Sequence, residues 1–123
     1  MDAKTYAKLS TDIMRETAAA SAIVRAVYTG QKSDAELGKA LDALANVLRL
    51  ITPHDDGSQW YNTMVENVMD NVRQARVLAG YVYTGDKSDA ELGKVLDYIT
   101  AANMAVDHHG QVFGREGQRH GQG

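Results

Sequence analysis

The phrase TGxKSDAELGK stands at 29–39 and again at 84–94, and this repetition constrains the fold more than any other feature of the chain. Displacing the sequence by 55 positions sets Tyr6 on Tyr61, Leu9 on Met64, Ile13 on Val68, Met14 on Met69, Ala20 on Ala75, Val27 on Val82 and Leu44 on Ile99. Nearly the whole chain is a tandem duplication, so whatever one copy builds the other builds too. With 123 residues and no cysteine, each half alone is too short for a robust core, and one domain is the expected count.

Each copy reads as two helices. Tyr6, Leu9, Ile13, Thr17, Ala20, Val24 and Val27 advance by threes and fours, which lines them along one face of a helix. Leu37, Leu41, Leu44, Leu48 and Ile51 do the same after the turn, and Pro53 stops them. In the second copy the seams are Tyr61, Met64, Val68, Val72, Ala75, Ala79 and Val82, then Leu92, Leu96, Ile99 and Val106. The pattern predicts helices over about 3–28, 34–51, 58–83 and 89–108. Short connections make neighbours antiparallel, so the predicted fold is all-α: a four-helix bundle of two αα-hairpins, 3–53 and 58–108, within a domain spanning 1–109. Positions 110–123, rich in Gly and Gln, read as a flexible tail ordered only if Phe113 docks.

The linker HDDGS at 54–58 supplies Asp56 or Ser58 as acceptor for the start of the third helix. Within the repeated phrase, Gly30 and Gly85 suit the left-handed residue that ends a helix. Ser33 and Ser88 are expected N-caps, with Glu36 and Glu91 reaching back in capping boxes and Asp34 and Asp89 favouring the helix dipole.

The copies have drifted unevenly. Fourteen of sixteen positions agree between 27–42 and 82–97, against three of twenty-one between 6–26 and 61–81. Capping accounts for Gly, Ser and Glu, but not for the pairs Tyr28 and Tyr83, Thr29 and Thr84, or Lys32 and Lys87. Gly38 and Gly93, inside helices, each cost about 1 kcal/mol relative to Ala, which points to close helix approach or room for a ligand. The functional reading is a pair of quasi-equivalent ligand-binding sites at Tyr28, Thr29, Lys32, Ser33 and at Tyr83, Thr84, Lys87, Ser88. Helix-start amides with a lysine suit phosphate, and a tyrosine suits a flat ring. The other reading is turn and cap alone, because the nearby carboxylates repel an anion.

Other features carry less. His108 and His109 are expected to end the fourth helix, where a cation favours the dipole, rather than to bind metal. Trp60, Tyr61 and Met64 read as core, with a partner surface as the other reading. Val65, Met69, Val77 and Tyr81 fall outside the main seam of the third helix, where they would meet a protein partner or a second copy of the chain. No nucleophile, base and acid grouping and no Walker-type loop is present, so no enzyme activity, cofactor or metal is expected. A net charge of -3 argues against duplex nucleic acid. The absence of a signal-peptide core and of membrane-length apolar runs predicts a cytoplasmic protein off the membrane.

The run LGKVLDYITAANMAV at 92–106, preceded by a polar turn with Lys87 and Ser88, resembles one helix of the helical-hairpin domain in phage proteins that sequester cyclic nucleotide immune signals. Leu92, Lys94, Asp97, Ala102, Asn103 and Ala105 carry the likeness. It implies a phage or prophage anti-defence protein that binds a cyclic oligonucleotide without cleaving it, across an oligomer interface, with Lys94 as a phosphate contact. The expected function is thus a noncatalytic binder of a small phosphate-bearing ligand. The alternative is a protein-binding inhibitor or adaptor, antitoxin-like in action, with a homodimer or higher homo-oligomer allowed in either case.

Overall fold

The computed structural model describes residues 2–122, with side chains described as far as position 111. Helix α1 spans Ala3–Tyr28 and is opened by Asp2, whose carboxylate accepts the Thr5 N–H at 2.7 Å. A 3₁₀ turn, Asp34–Glu36, leads into α2, Leu37–Ile51. Helix α3 is α-helical over Gln59–Met64, π-helical over Val65–Met69 and α-helical again over Asp70–Tyr83. A second 3₁₀ turn, Asp89–Glu91, precedes α4, Leu92–Gln122. The α4 backbone runs past the expected end near 108, while the expectation for Phe113 lies outside the described side chains.

The four helices form an antiparallel four-helix bundle. α1 packs against α2 and α4, and α3 packs against the same two, so α1 and α3 lie across the diagonal. This arrangement carries the duplication as a pseudo-twofold axis along the bundle. Its consequence is positional: both repeated turns lie at one end, and the linker joining the hairpins lies at the other.

Burial follows the periodicity closely. Tyr6, Leu9, Ile13, Thr17, Ala20, Val24 and Val27 are the buried residues of α1, and the expected α3 seam is buried in full. In α2 and α4 the seam is wider than leucine spacing indicates, because Ala40, Val47, Val95 and Ala102 are buried while Leu41, Leu48 and Leu96 pack half-buried at its margin. Thr17 and His109 are the buried polar residues among those described, and Thr17 sits between α1 and α4. Its hydroxyl donates to Asn103 Oδ1 at 2.7 Å, which satisfies both groups between α1 and α4.

Met69, expected on an outer surface, is 3% exposed, whereas its counterpart Met14 is 37% exposed. The π turn accompanies this difference: the Asp70 N–H donates to the Val65 carbonyl, a five-residue step, where α1 is α-helical throughout. Among the described residues, no helix is long and apolar enough to cross a membrane.

Candidate functional site

At the shared end of the bundle the repeated phrase builds a joint between the hairpins. Gly30 and Gly85 hold φ of 80° and 84°, the left-handed conformation that ends α1 and α3. The Gln31 N–H donates to the Ala26 carbonyl and the Asp86 N–H to the Tyr81 carbonyl, each at 2.8 Å, closing the same turn twice. The Thr29 hydroxyl donates to the Arg25 carbonyl at 2.9 Å, and the Thr84 hydroxyl to the Asp86 carboxylate at 2.8 Å. Both threonines are therefore engaged in finishing their own helices.

The expected capping boxes do not form. Ser33 and Ser88 have the extended backbone of a cap residue, ψ 162° in both, yet neither side chain makes a cap hydrogen bond. Their carbonyls accept the Glu36 and Glu91 N–H at 3.1 Å, which closes a 3₁₀ turn in place of a first α turn. Glu36 instead pairs with Lys39 at 3.1 Å and Glu91 with Lys94 at 3.2 Å. The hydrogen bond from Lys39 is the main cause that holds the Glu36 carboxyl below its ordinary value, with Lys32 contributing a smaller attraction.

Gly38 and Gly93 are explained by the other hairpin. A Cβ on Gly38 would lie 3.3 Å from the Tyr83 hydroxyl oxygen, and one on Gly93 would lie 3.2 Å from that of Tyr28. Each tyrosine ends one hairpin's first helix and rests its ring tip on the glycine that opens the other hairpin's second helix. The room that the glycines leave is thus occupied by Tyr28 and Tyr83. Both rings are nearly half exposed, so they can tilt.

This predicts a coupling. Gly93→Ala gains about 1 kcal/mol of helix propensity, which the displaced ring offsets in the native chain. In a Tyr28→Ala background the same substitution is expected to stabilise by the full amount, read by urea denaturation. An equal gain in both backgrounds would show that the ring and the glycine do not interact.

Between the two turns, a hydrogen bond with Asp89 raises the Asp34 carboxyl above its ordinary value, with burial and the Asp89 charge adding to the effect. The two carboxylates meet rather than turn apart, and a phosphate placed between the turns would face them.

The structure places the nine expected ligand residues as follows. Lys32 and Ser33 are exposed on the first turn, with Tyr28 and Thr29 committed as described. Lys87 and Lys94 instead line a groove of about 280 Å³ between α3 and α4 together with Glu91, the ion-pair partner of Lys94, while Tyr83, Thr84 and Ser88 stay at the joint. Val77 and Leu78 line the groove along α3, with Tyr81 and Tyr98 facing it from α3 and α4. The Lys87 ammonium lies 5.9 Å from the centroid of the Tyr81 ring. Val77 and Tyr81 are 56% and 46% exposed.

Sequence reasoning missed Tyr98, although the duplication carries the signal. Tyr81 and Tyr98 stand where the first copy has Ala26 and Ala43, while both lysines have counterparts in Lys32 and Lys39. Among the residues behind the family likeness, Leu92 and Ala102 are buried, Ala105 is partly buried, Asn103 is held by Thr17, Asp97 is exposed, and Lys94 lines the groove. Nor do the two histidines end α4: His108 is exposed, and burial, reinforced by His108, holds His109 below the ordinary histidine value. Among the described residues, no three His, Asp or Glu side chains are grouped to hold a metal.

Comparison with protein-family models gives no match, and comparisons with curated proteins and with solved structures give none either.

Proposed function

We propose that the protein is a noncatalytic binder of a small phosphate-bearing ligand with a flat ring, a cyclic nucleotide in class, held in the α3–α4 groove. One observation carries this reading. The duplication kept a lysine pair in both hairpins but placed two tyrosines and Val77 beside it in the second alone. Lys87 supplies charge for a phosphate, Lys94 adds to it where the phosphate displaces Glu91 from the ion pair, and two rings beside Val77 and Leu78 supply a face for a base. A mononucleotide is of a size to use a groove of about 280 Å³. The resemblance of 92–106 to signal-sequestering phage proteins supports the same ligand class.

The test is calorimetric titration of the full chain with 3′,5′-cyclic AMP. Lys87→Glu with Lys94→Glu is expected to weaken binding at least tenfold, because a charge-assisted hydrogen bond is worth about 1.5–3 kcal/mol. Lys32→Glu with Lys39→Glu is expected to leave it within twofold. Equal losses in the two variants would place the ligand elsewhere.

The exposed Val77 favours a second reading, a protein partner seated on α3. In that case Val77→Asp abolishes partner capture while nucleotide binding is absent from the start.

A further inference from the structure

The opposite end of the bundle holds a second pocket of different chemistry, of about 560 Å³, lined among the described residues by Ser58, Gln59, Trp60, Thr63, Asn67, His108 and His109. Trp60 and His109 meet edge to face at 6.2 Å and 76°, and the far side of Trp60 rests on Tyr6 at 5.4 Å. The Tyr6 hydroxyl donates to the Val106 carbonyl at 2.7 Å, and Gly110 leaves room for that ring, since a Cβ there would lie 3.1 Å from it. The aromatic wall is therefore fixed from behind.

The first copy provides an internal control. Its corresponding pocket is lined by Thr5, Lys8, Leu9, Asp12, Leu50 and His54 and measures about 170 Å³. There Lys8 and Asp12 close an ion pair at 2.8 Å. At the matching positions the second copy has Trp60 for Thr5, Thr63 for Lys8, Asn67 for Asp12 and His109 for His54. Every formal charge facing the pocket from α3 has been replaced by a hydroxyl, an amide or a ring.

Two further observations point to an occupant. His109 is 6% exposed, and its Nε2 is buried without a hydrogen-bond partner, a condition that costs free energy unless something serves it. The π turn at Val65–Met69 includes Asn67, and the Asn71 amide donates to the Asn67 carbonyl at 2.7 Å, which anchors the irregular backbone. Such turns recur at functional sites, and the first copy has none at this place.

We infer that this pocket binds a neutral, flat heteroaromatic molecule that stacks on the Trp60 and His109 wall and hydrogen-bonds to the Thr63 and Asn67 side chains. Its volume lies within the ordinary range of small-molecule sites, and among the described residues its lining carries hydroxyls, amides and imidazoles but no Asp, Glu, Lys or Arg. The inference stands apart from the α3–α4 groove, which lies towards the other end and is lined by Lys87, Lys94 and Glu91.

Trp60 is the one tryptophan of the chain, so its indole N–H is a single reporter in a ¹⁵N-resolved spectrum. Titrating the full chain with benzimidazole at pH 7.5, where that probe is neutral, is expected to move this resonance saturably at millimolar concentration. Naphthalene-2-sulfonate, flat but anionic, is expected to move it at least tenfold more weakly. Thr63→Lys with Asn67→Asp rebuilds the ion pair of the first copy and should abolish the response; Thr63→Lys alone serves if the double variant does not fold. No saturable shift, an equal response to the anionic probe, or an undiminished response in the variant would each overturn the proposal.

Discussion

Leu92→Ala is expected to lower the unfolding free energy by about 2–5 kcal/mol, and Leu37→Ala by a similar amount. Both side chains are fully buried at the first position of their helices, α4 and α2. Truncation removes the transfer free energy of the lost methyl and methylene groups and leaves a cavity that close-packed neighbours fill only in part. The pseudo-twofold axis adds a sharper requirement. Each leucine sits in the same repeated phrase, preceded by a 3₁₀ turn and followed by a glycine that takes a tyrosine from the other hairpin. The two losses should therefore agree more closely than the roughly 2 kcal/mol by which Leu→Ala losses spread between unlike sites. Denaturation followed by helical circular dichroism measures both. Total stabilities of domains run to about 5–15 kcal/mol, so either substitution removes a large share. A loss confined to one leucine would mean that the two ends of the duplication are not equivalent.

The second large effect concerns the turns. Gly30→Ala and Gly85→Ala each place a Cβ at a left-handed residue, φ 80° and 84°, where an L side chain costs about 1–2 kcal/mol. No heavy atom lies within 4 Å of a Cβ at either position, so the cost is conformational and not a clash. The double variant is expected to lose about 2–4 kcal/mol, the sum of the two. Urea denaturation of both singles and the double decides this. A double variant as stable as the native chain would remove the turn geometry from the account.

Much of the fold was legible because periodicity reports burial directly. The three-and-four spacing from Tyr6 to Val27 names the whole buried face of α1, and Ser58 caps α3 as expected, its Oγ accepting the Tyr61 N–H at 3.1 Å. The left-handed glycines were legible for the same reason, since a local conformation admits few residue types. The purpose of Gly38 and Gly93 was not, because it depends on a tyrosine 45 or 65 positions away in sequence. It becomes visible only when the bundle brings both turns to one end.

The capping boxes failed at a local level. A 3₁₀ entry changes what the serine side chain can reach, and a lysine three residues on draws the glutamate away. Met69 and His109 lie beyond any single-seam reading: one is drawn in beside a π turn, and the other is buried because the backbone continues as helix where a stop was expected. At the candidate site, uneven drift between the copies sorts the residues into two groups. The positions that stayed the same are largely the joint between the hairpins. Tyr81, Tyr98, Trp60 and Asn67, where the copies differ, line the two cavities that distinguish the second hairpin from the first.

That contrast is most directly tested by mapping 3′,5′-cyclic AMP onto the full chain through its ¹⁵N-resolved amide spectrum. On this account the amides of 74–98 shift saturably and those of the matching stretch 19–43 do not, although both stretches carry the repeated phrase. Equal shifts in the two stretches, or saturable shifts in neither, would contradict it.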